Sequence, residues 1–249
     1  MTEIVLNEKQ WVEDILESSS LGAKPSETLG RLARYYHEIG YRKSEVSRML
    51  EEFLLRCDPN TNIVRWQAVI DNSVKFAWKG SLINVEPISI TRNELEAIKR
   101  LPGILLQRLM FTLVCLAKYG NAVSQKNNSW VNRDIRDVLS LANIKVTVRR
   151  QSLLYNDLWR LGYVGYSNIV DNINVNVKIL DDSGDSVMKI GDFRNLGNQY
   201  MRHIEDGYIA CQHCGLIIKR CSPTQKYCKN CSVDINIQKT IENRRRCVA

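Results

Sequence analysis

The sequence predicts a mainly α protein with small β elements. Three observations lead there. Apolar residues recur at helical spacing through most of the first 160 residues. Two short β-rich runs, YVGYS (163–167) and INVNVKI (173–179), follow those helices. Near the end, four cysteines form two Cys-x-x-Cys pairs, Cys211/Cys214 and Cys228/Cys231. The expected parts are an N-terminal helical bundle (1–80), a linker (81–90), a domain of helices and a hairpin (91–200), and a cysteine-rich module with a basic helix (201–249).

In the first part, residues 8–18 place Trp11, Ile15 and Leu16 on one helical face. Pro25 suits the opening of the next helix, where Leu29, Leu32, Ala33, Tyr36 and Ile39 fall at helical spacing. Gly40 stops it. Ser44 is expected to cap a third helix carrying Val46, Met49, Leu50, Phe53 and Leu54. A fourth runs over 63–79, with Ile63, Trp66, Val69, Ile70, Val74 and Ala77 inward. The stretch GSLINVEPISI reads as extended and contains a proline, hence the expected linker.

Thr91-x-x-Glu94 is a capping box that starts the next helix. LLQRLMFTLVCLAKYG (105–120) is the most apolar stretch and reads as a buried helix, with Cys115 as a small core residue. Trp130-Val131 reads as extended. Asn132 is expected to cap a helix with Ile135, Val138 and Leu139 inward. Residues 142–144 form a turn. Thr147 then caps a helix with Leu153, Leu154, Leu158 and Leu161 inward, which Gly162 ends. Helix, helix, turn, helix and hairpin is the order of a winged helix-turn-helix domain. The phrase LLYNDLWRLGYV looks like the end of the second motif helix in many winged-helix DNA-binding domains, a resemblance covering about residues 91–180.

The second motif helix would then be the recognition helix, whose first turns face the major groove in this class. Arg149, Arg150, Gln151, Ser152 and Asn156 lie at its amino end or opposite the expected apolar face. Arginine suits guanine, and glutamine and asparagine suit adenine. Arg133 and Arg136 on the preceding helix, Lys145 in the turn and Thr147 at the cap are placed to hold phosphates. The wing carries Asn168, Asn172, Asn174 and Asn176 and little positive charge, which gives it a weaker role.

Cys-x2-Cys-x13-Cys-x2-Cys has the spacing of a closed structural zinc site, with one Zn2+ held by Cys211, Cys214, Cys228 and Cys231. Gly215 follows the first pair, where the chain must turn its amides toward sulfur. The order of short strands and a following helix suggests a zinc ribbon or small treble clef. Cys221 sits midway between the pairs and Cys247 lies in the tail, so neither is expected to bind. Arg244, Arg245 and Arg246 end the last helix, where basic residues suit the helix carboxyl end and also suit phosphate.

The formal net charge is +8, and the excess lies in residues 91–160 and 201–249, whereas 1–60 is net acidic. Localised positive charge is the footprint of a polyanion binder, here double-stranded DNA. The acidic first part would instead suit a protein partner. No apolar run reaches the ~20 residues of a membrane span. The opening MTEIVLNEKQWVEDILE is acidic and amphipathic, unlike a secretory leader, so a reducing cytoplasm is expected. Walker-type, G-x-S-x-G and H-E-x-x-H motifs are missing. With only three histidines, the chain is expected to bind rather than catalyse. DDSGD (181–185) reads as a solvated turn. No heptad pattern points to a coiled-coil dimer.

The tail CxxCG…SPTQKYCxxC followed by a basic helix resembles zinc ribbons at the ends of phage and mobile-element proteins of low-GC Gram-positive bacteria. Residues 26–78, through the phrase "helix, G-Y-x-x-x-E-V, helix, C-D-P", look like the small helical module found after primase domains. The catalytic primase domain has no counterpart in the chain. The resemblance implies a DNA-binding protein acting in replication or transcription control. The alternative is an adaptor that engages a host polymerase or replisome component without DNA specificity of its own.

Overall fold

The chain is mainly helical (55%), and the strands among the described residues form small antiparallel sheets. The computed structural model describes residues 4–124, 126–167 and 174–248. They divide into two units, Met1–Glu86 and Pro87–Ala249.

The first unit holds four helices, α1 (Glu8–Ser18), α2 (Pro25–Glu38), α3 (Lys43–Cys57) and α4 (Ile63–Ala77). Asn7 and Asn62 cap α1 and α4 by accepting from Gln10 N and Val64 N. The apolar faces meet in one core around Leu29, Leu32, Tyr36, Leu50, Phe53 and Ile70. Three details depart from the spacing argument. Val12 is the fully buried residue of α1, while Trp11, Ile15 and Leu16 are half-buried against that core. Ile39 lies past the end of α2 and is exposed. Helix α3 begins before Ser44, and the Glu45 carboxylate accepts from Arg42 N at 2.7 Å.

Glu8 is buried and has a structural task. Its carboxylate accepts from Arg31 at 2.9 Å, Arg34 at 3.1 Å and Ile83 N at 2.9 Å. One side chain thus joins α1, α2 and the stretch after α4. Residues 81–90, expected as a linker, are paired at both ends. Asn84 bridges Asn7 and Val85 N donates to Leu6 O at 2.8 Å in the first unit. Ile88–Thr91 forms strand β1 of the second.

The second unit continues with α5 (Arg92–Lys99), α6 (Ile104–Val123), β2 (Trp130–Val131), α7 (Ile135–Leu141) and α8 (Val148–Arg160). Then come β3 (Val164–Tyr166), β4 (Val175–Val177), β5 (Ser186–Ile190) and α9 (Leu196–Ile204). The chain ends in β6 (Tyr208–Ala210), β7 (Ile217–Lys219) and α10 (Lys229–Val248). Strands β2, β4 and β3 form one antiparallel sheet in the order β2-β4-β3, while β1 pairs with β5 and β6 with β7. Thr91 and Glu94 form the expected capping box, each accepting from the other's backbone N–H. Asp134, rather than Asn132, caps α7 by accepting from Arg136 N at 2.7 Å.

Helix α6 is the centre of this unit. Every residue from Leu109 to Lys118 is buried, as befits a helix apolar on all sides. Its one buried charge is met directly. Lys118 Nζ lies 2.8 Å from the fully buried Glu94 and 3.2 Å from Asp182, and donates to Ser89 O and Asp181 O. Asp181 N in turn donates to Glu94 at 2.9 Å. The DDSGD turn is therefore part of the framework that closes this end of α6. The Asp181 carboxylate accepts from Ser183 and Asn93, and these bonds hold its pKa down at about 2.

At the other side of α6, Arg108 donates to Ala142 O at 2.7 Å and also to Asn143 O. Helix α9 crosses close by. A Cβ on Gly197 would meet Ala142 O at 1.9 Å, so only glycine permits this approach. Asn143 reaches Asn198 of α9 at 2.8 Å. The turn between α7 and α8 is pinned from both sides.

Removing one partner of a buried pair leaves the other charge uncompensated. Lys118→Met is expected to lower stability by about 3–5 kcal/mol. Asp182→Asn, on an exposed side chain, should change it by less than ~1 kcal/mol. Urea denaturation of the two variants checks this difference.

Candidate functional site

Two places concentrate chemistry: the outward face of α8 and the cluster of cysteines at the chain end. Helix α8 starts at Thr147, whose hydroxyl accepts from Arg150 N at 3.4 Å. Its buried residues are Leu154, Tyr155 and Leu158. Leu153 and Leu161, expected inward, are 42% and 48% exposed. Tyr155 takes the inward place instead, and burial raises its hydroxyl pKa. At 100° per residue, Arg149, Leu153, Asn156 and Arg160 then share the side opposite the core.

Arg149 and Arg150 are exposed in the first turn of α8. Arg150 leans aside, where it lines a groove of about 440 Å3 with Leu154, Asp157 and Arg160 beside the start of α6. Gln151 is half-buried and its side-chain amide donates to Val146 O at 3.3 Å. Ser152 is exposed with its hydroxyl turned back to Val148 O, and Asn156 is half-buried. Lys145 is exposed in the turn, and Arg136 is exposed in the first turn of α7. Arg133 precedes α7 rather than lying on it, because the helix starts after Asp134. Arg244, Arg245 and Arg246 belong to the backbone of α10, and their side chains lie outside the described residues. Asn168 and Asn172 also lie outside them.

Two features escaped the spacing argument. Arg160, further along the same side as Arg149, completes the outward stripe; assigning Leu153 to the core had hidden that periodicity. Trp159 and Tyr166 are both exposed, with ring centroids 6.3 Å apart, and form an aromatic ledge where α8 runs into β3.

In the cysteine module, the first pair sits on the turn between β6 and β7. Cys211 N donates to Leu216 O, and Gly215 N to Cys211 O, both at 2.9 Å. Gly215 has φ of +73°, a left-handed conformation suited to glycine. Cys228 and Cys231 stand at the start of α10, and Gln212 N reaches Lys226 O at 3.0 Å to join the halves. Residues 226–227 form no strand.

The four Sγ atoms of Cys211, Cys214, Cys228 and Cys231 lie within 4.8 Å of one another. Cys214 and Cys228 sulfurs are 3.8 Å apart. A tetrahedron with Zn–S bonds of about 2.3 Å has edges of about 3.8 Å, so the donor set fits zinc. Two backbone amides point at sulfur, Cys228 N at Cys211 (3.2 Å) and Cys231 N at Cys228 (3.5 Å). Burial pushes the Cys211 thiol up, but the backbone amides of Cys214, Cys228 and His213 outweigh it and bring the pKa to about 6. Hydrogen bonding to Cys228, followed by burial, raises the Cys231 pKa. Four thiolates this close need a cation to ionise together. Zinc would supply that charge here as a closed structural ion.

Apolar support is thin, consisting of Leu216, Ile218 and Tyr227 against the sulfurs. Cys221 is exposed, with its amide on Gln225 Oε1 at 2.7 Å, away from the cluster. The module is fastened to α9 by Asn198, which donates to Ile217 O at 3.0 Å. Arg194 donates to Cys214 O at 2.7 Å.

No family model, curated protein or solved structure matches this chain. Among the described residues, no helix is long and apolar enough to cross a membrane.

Purified, reduced protein is expected to hold one zinc per chain by elemental analysis. Cys228→Ser should lose the metal, whereas Cys221→Ser should retain it. Chelation of the wild-type zinc should unfold the module around β6 and β7, which hydrogen exchange at their amides would register.

Proposed function

We propose that this chain binds double-stranded DNA through a winged helix in its second unit, with α8 as the reading element and a zinc-bound module as its scaffold. The observation that carries the reading is the outward face of α8. It presents Arg149, Asn156 and Arg160 along one stripe, with Arg150 and Lys145 beside it. Guanidinium groups on an exposed helix can pair bidentately with guanine or with phosphate.

The framework supports the reading. Elements α6, β2, α7, α8, β3 and β4 follow in the order of a winged helix, and the sheet order β2-β4-β3 places the last strand between the other two. The module of β6, β7 and α10 is compatible with a small zinc fold of ribbon or treble-clef type, in which an ion would hold a hairpin turn against a helix start. No catalytic role is assigned to either site. The four-cysteine set leaves no open position for a substrate.

A second reading rests on the first unit. Ile39, Tyr41, Phe76 and Trp78 are exposed there, and Trp78 is flanked by His37 and Lys43. Such a surface suits a protein partner and would give the chain an adaptor role in replication or transcription, beside DNA binding or in place of it.

Selection from a random duplex pool supplies the DNA site, and fluorescence anisotropy then measures affinity across salt concentrations. The Arg149→Ala/Arg150→Ala protein is expected to bind its best site on the order of tenfold or more weakly. Wild-type binding should fall steeply with salt as counterions are released. Unchanged affinity in the double variant would remove α8 as the reading element. Absence of any duplex binding at low salt, with recovery of a protein partner after nuclease treatment, would favour the adaptor.

A further inference from the structure

A second pocket of about 280 Å3 opens on the same unit, between β5, α9 and β7. Its polar wall is Lys189 of β5 with Gln199, Arg202 and His203 of α9, and Ile190 and Ile217 contribute apolar surface. Gln199, Arg202 and His203 stand at i, i+3 and i+4, which puts them on one face of α9. No carboxylate lines the pocket. Gln199 is no free donor, because its side-chain nitrogen is spent on Asp192 O and Arg194 O.

The lining therefore includes a lysine, an arginine and a histidine, all exposed, and no carboxylate. We propose that this pocket is a phosphate-binding site in which Arg202, Lys189 and His203 hold the oxyanion. Three donors on two elements suit a tetrahedral group with several acceptor oxygens, and guanidinium pairs with it bidentately. The room left over accommodates part of the molecule that carries the phosphate.

His203 reports on occupancy. Burial, and after it the charge of Lys99, lowers its pKa below the ordinary value. Lys189 and Arg202 line the same pocket. A bound phosphate reverses that balance and favours the imidazolium. The inference is independent of α8, because the pocket recognises phosphate whichever molecule carries it.

The chain has three histidines, His37, His203 and His213, so their imidazoles are separable by nitrogen-detected NMR. The zinc-loaded 249-residue chain is titrated with inorganic phosphate, with chloride at matched ionic strength, and with a short duplex. Phosphate is expected to move the His203 ring signals saturably and raise its titration midpoint by on the order of one pH unit, leaving His37 in place. Arg202→Gln should abolish the response while the rest of the spectrum is kept. A response to inorganic phosphate identifies a site for free phosphate or small phosphorylated molecules. A response to the duplex alone identifies the nucleic-acid backbone as the source. If neither moves His203, or chloride moves it equally, the site does not exist. The Arg149→Ala/Arg150→Ala protein keeps the response to inorganic phosphate, so failure of the α8 reading is told apart from failure of this one.

Discussion

A helix that is apolar on every side has to be covered on every side, and α6 imposes that demand on the second unit. Helices α5, α7, α8 and α9 and strands β1, β2 and β4 all pack on it. Burial of such a helix is favourable by roughly 25 cal/mol per Å2 of apolar surface, so its surroundings are drawn from distant parts of the chain. The charge buried within its middle is Lys118. Its charge is tolerable because Glu94, two backbone carbonyls and Asp182 converge on it. The acidic turn at 181–185 has its place in the structure for that reason.

The candidate nucleic-acid face depends on the same packing at one remove. Arg108 of α6 holds the carbonyls of the turn between α7 and α8, and Gly197 lets α9 press on that turn from outside. With the turn fixed, Leu154, Tyr155 and Leu158 bury against the interior, and Arg149 and Arg160 are left outward. A charge several residues away on the same helix changes solvent exposure with any small rotation. The precision of this face therefore comes from the anchored turn rather than from the arginines.

Helix α9 also joins the cysteine module to the framework, through Asn198 and the preceding Arg194. The module has little apolar surface of its own, and its order rests on sulfur chemistry and backbone hydrogen bonds. Helix α8 and the cysteine module thus share one support. The polar side of that helix carries Arg202 and His203 beside Lys189, so a single short helix serves packing, attachment and a cationic pocket.

Local spacing was enough to determine much of this protein. The two Cys-x-x-Cys pairs marked their own cluster, since each pair is bound to its partner by short chain geometry. The capping box at Thr91 and the cap at Thr147 follow from hydrogen bonds within one turn. The sequence also marked α6 as interior, because it holds the most apolar stretch of the chain. Tertiary structure alone decided the rest. Leu153 and Tyr155 each extend an apolar stripe on α8, and contact with the interior selected Tyr155. Lys118 met Glu94 from the far end of the neighbouring helix, and Gly197 met Ala142 across a longer interval of chain. His203, isolated in the sequence, found its cationic neighbours on a strand and another helix. Periodicity defines which residues share a face; which distant segment covers that face is settled only by packing.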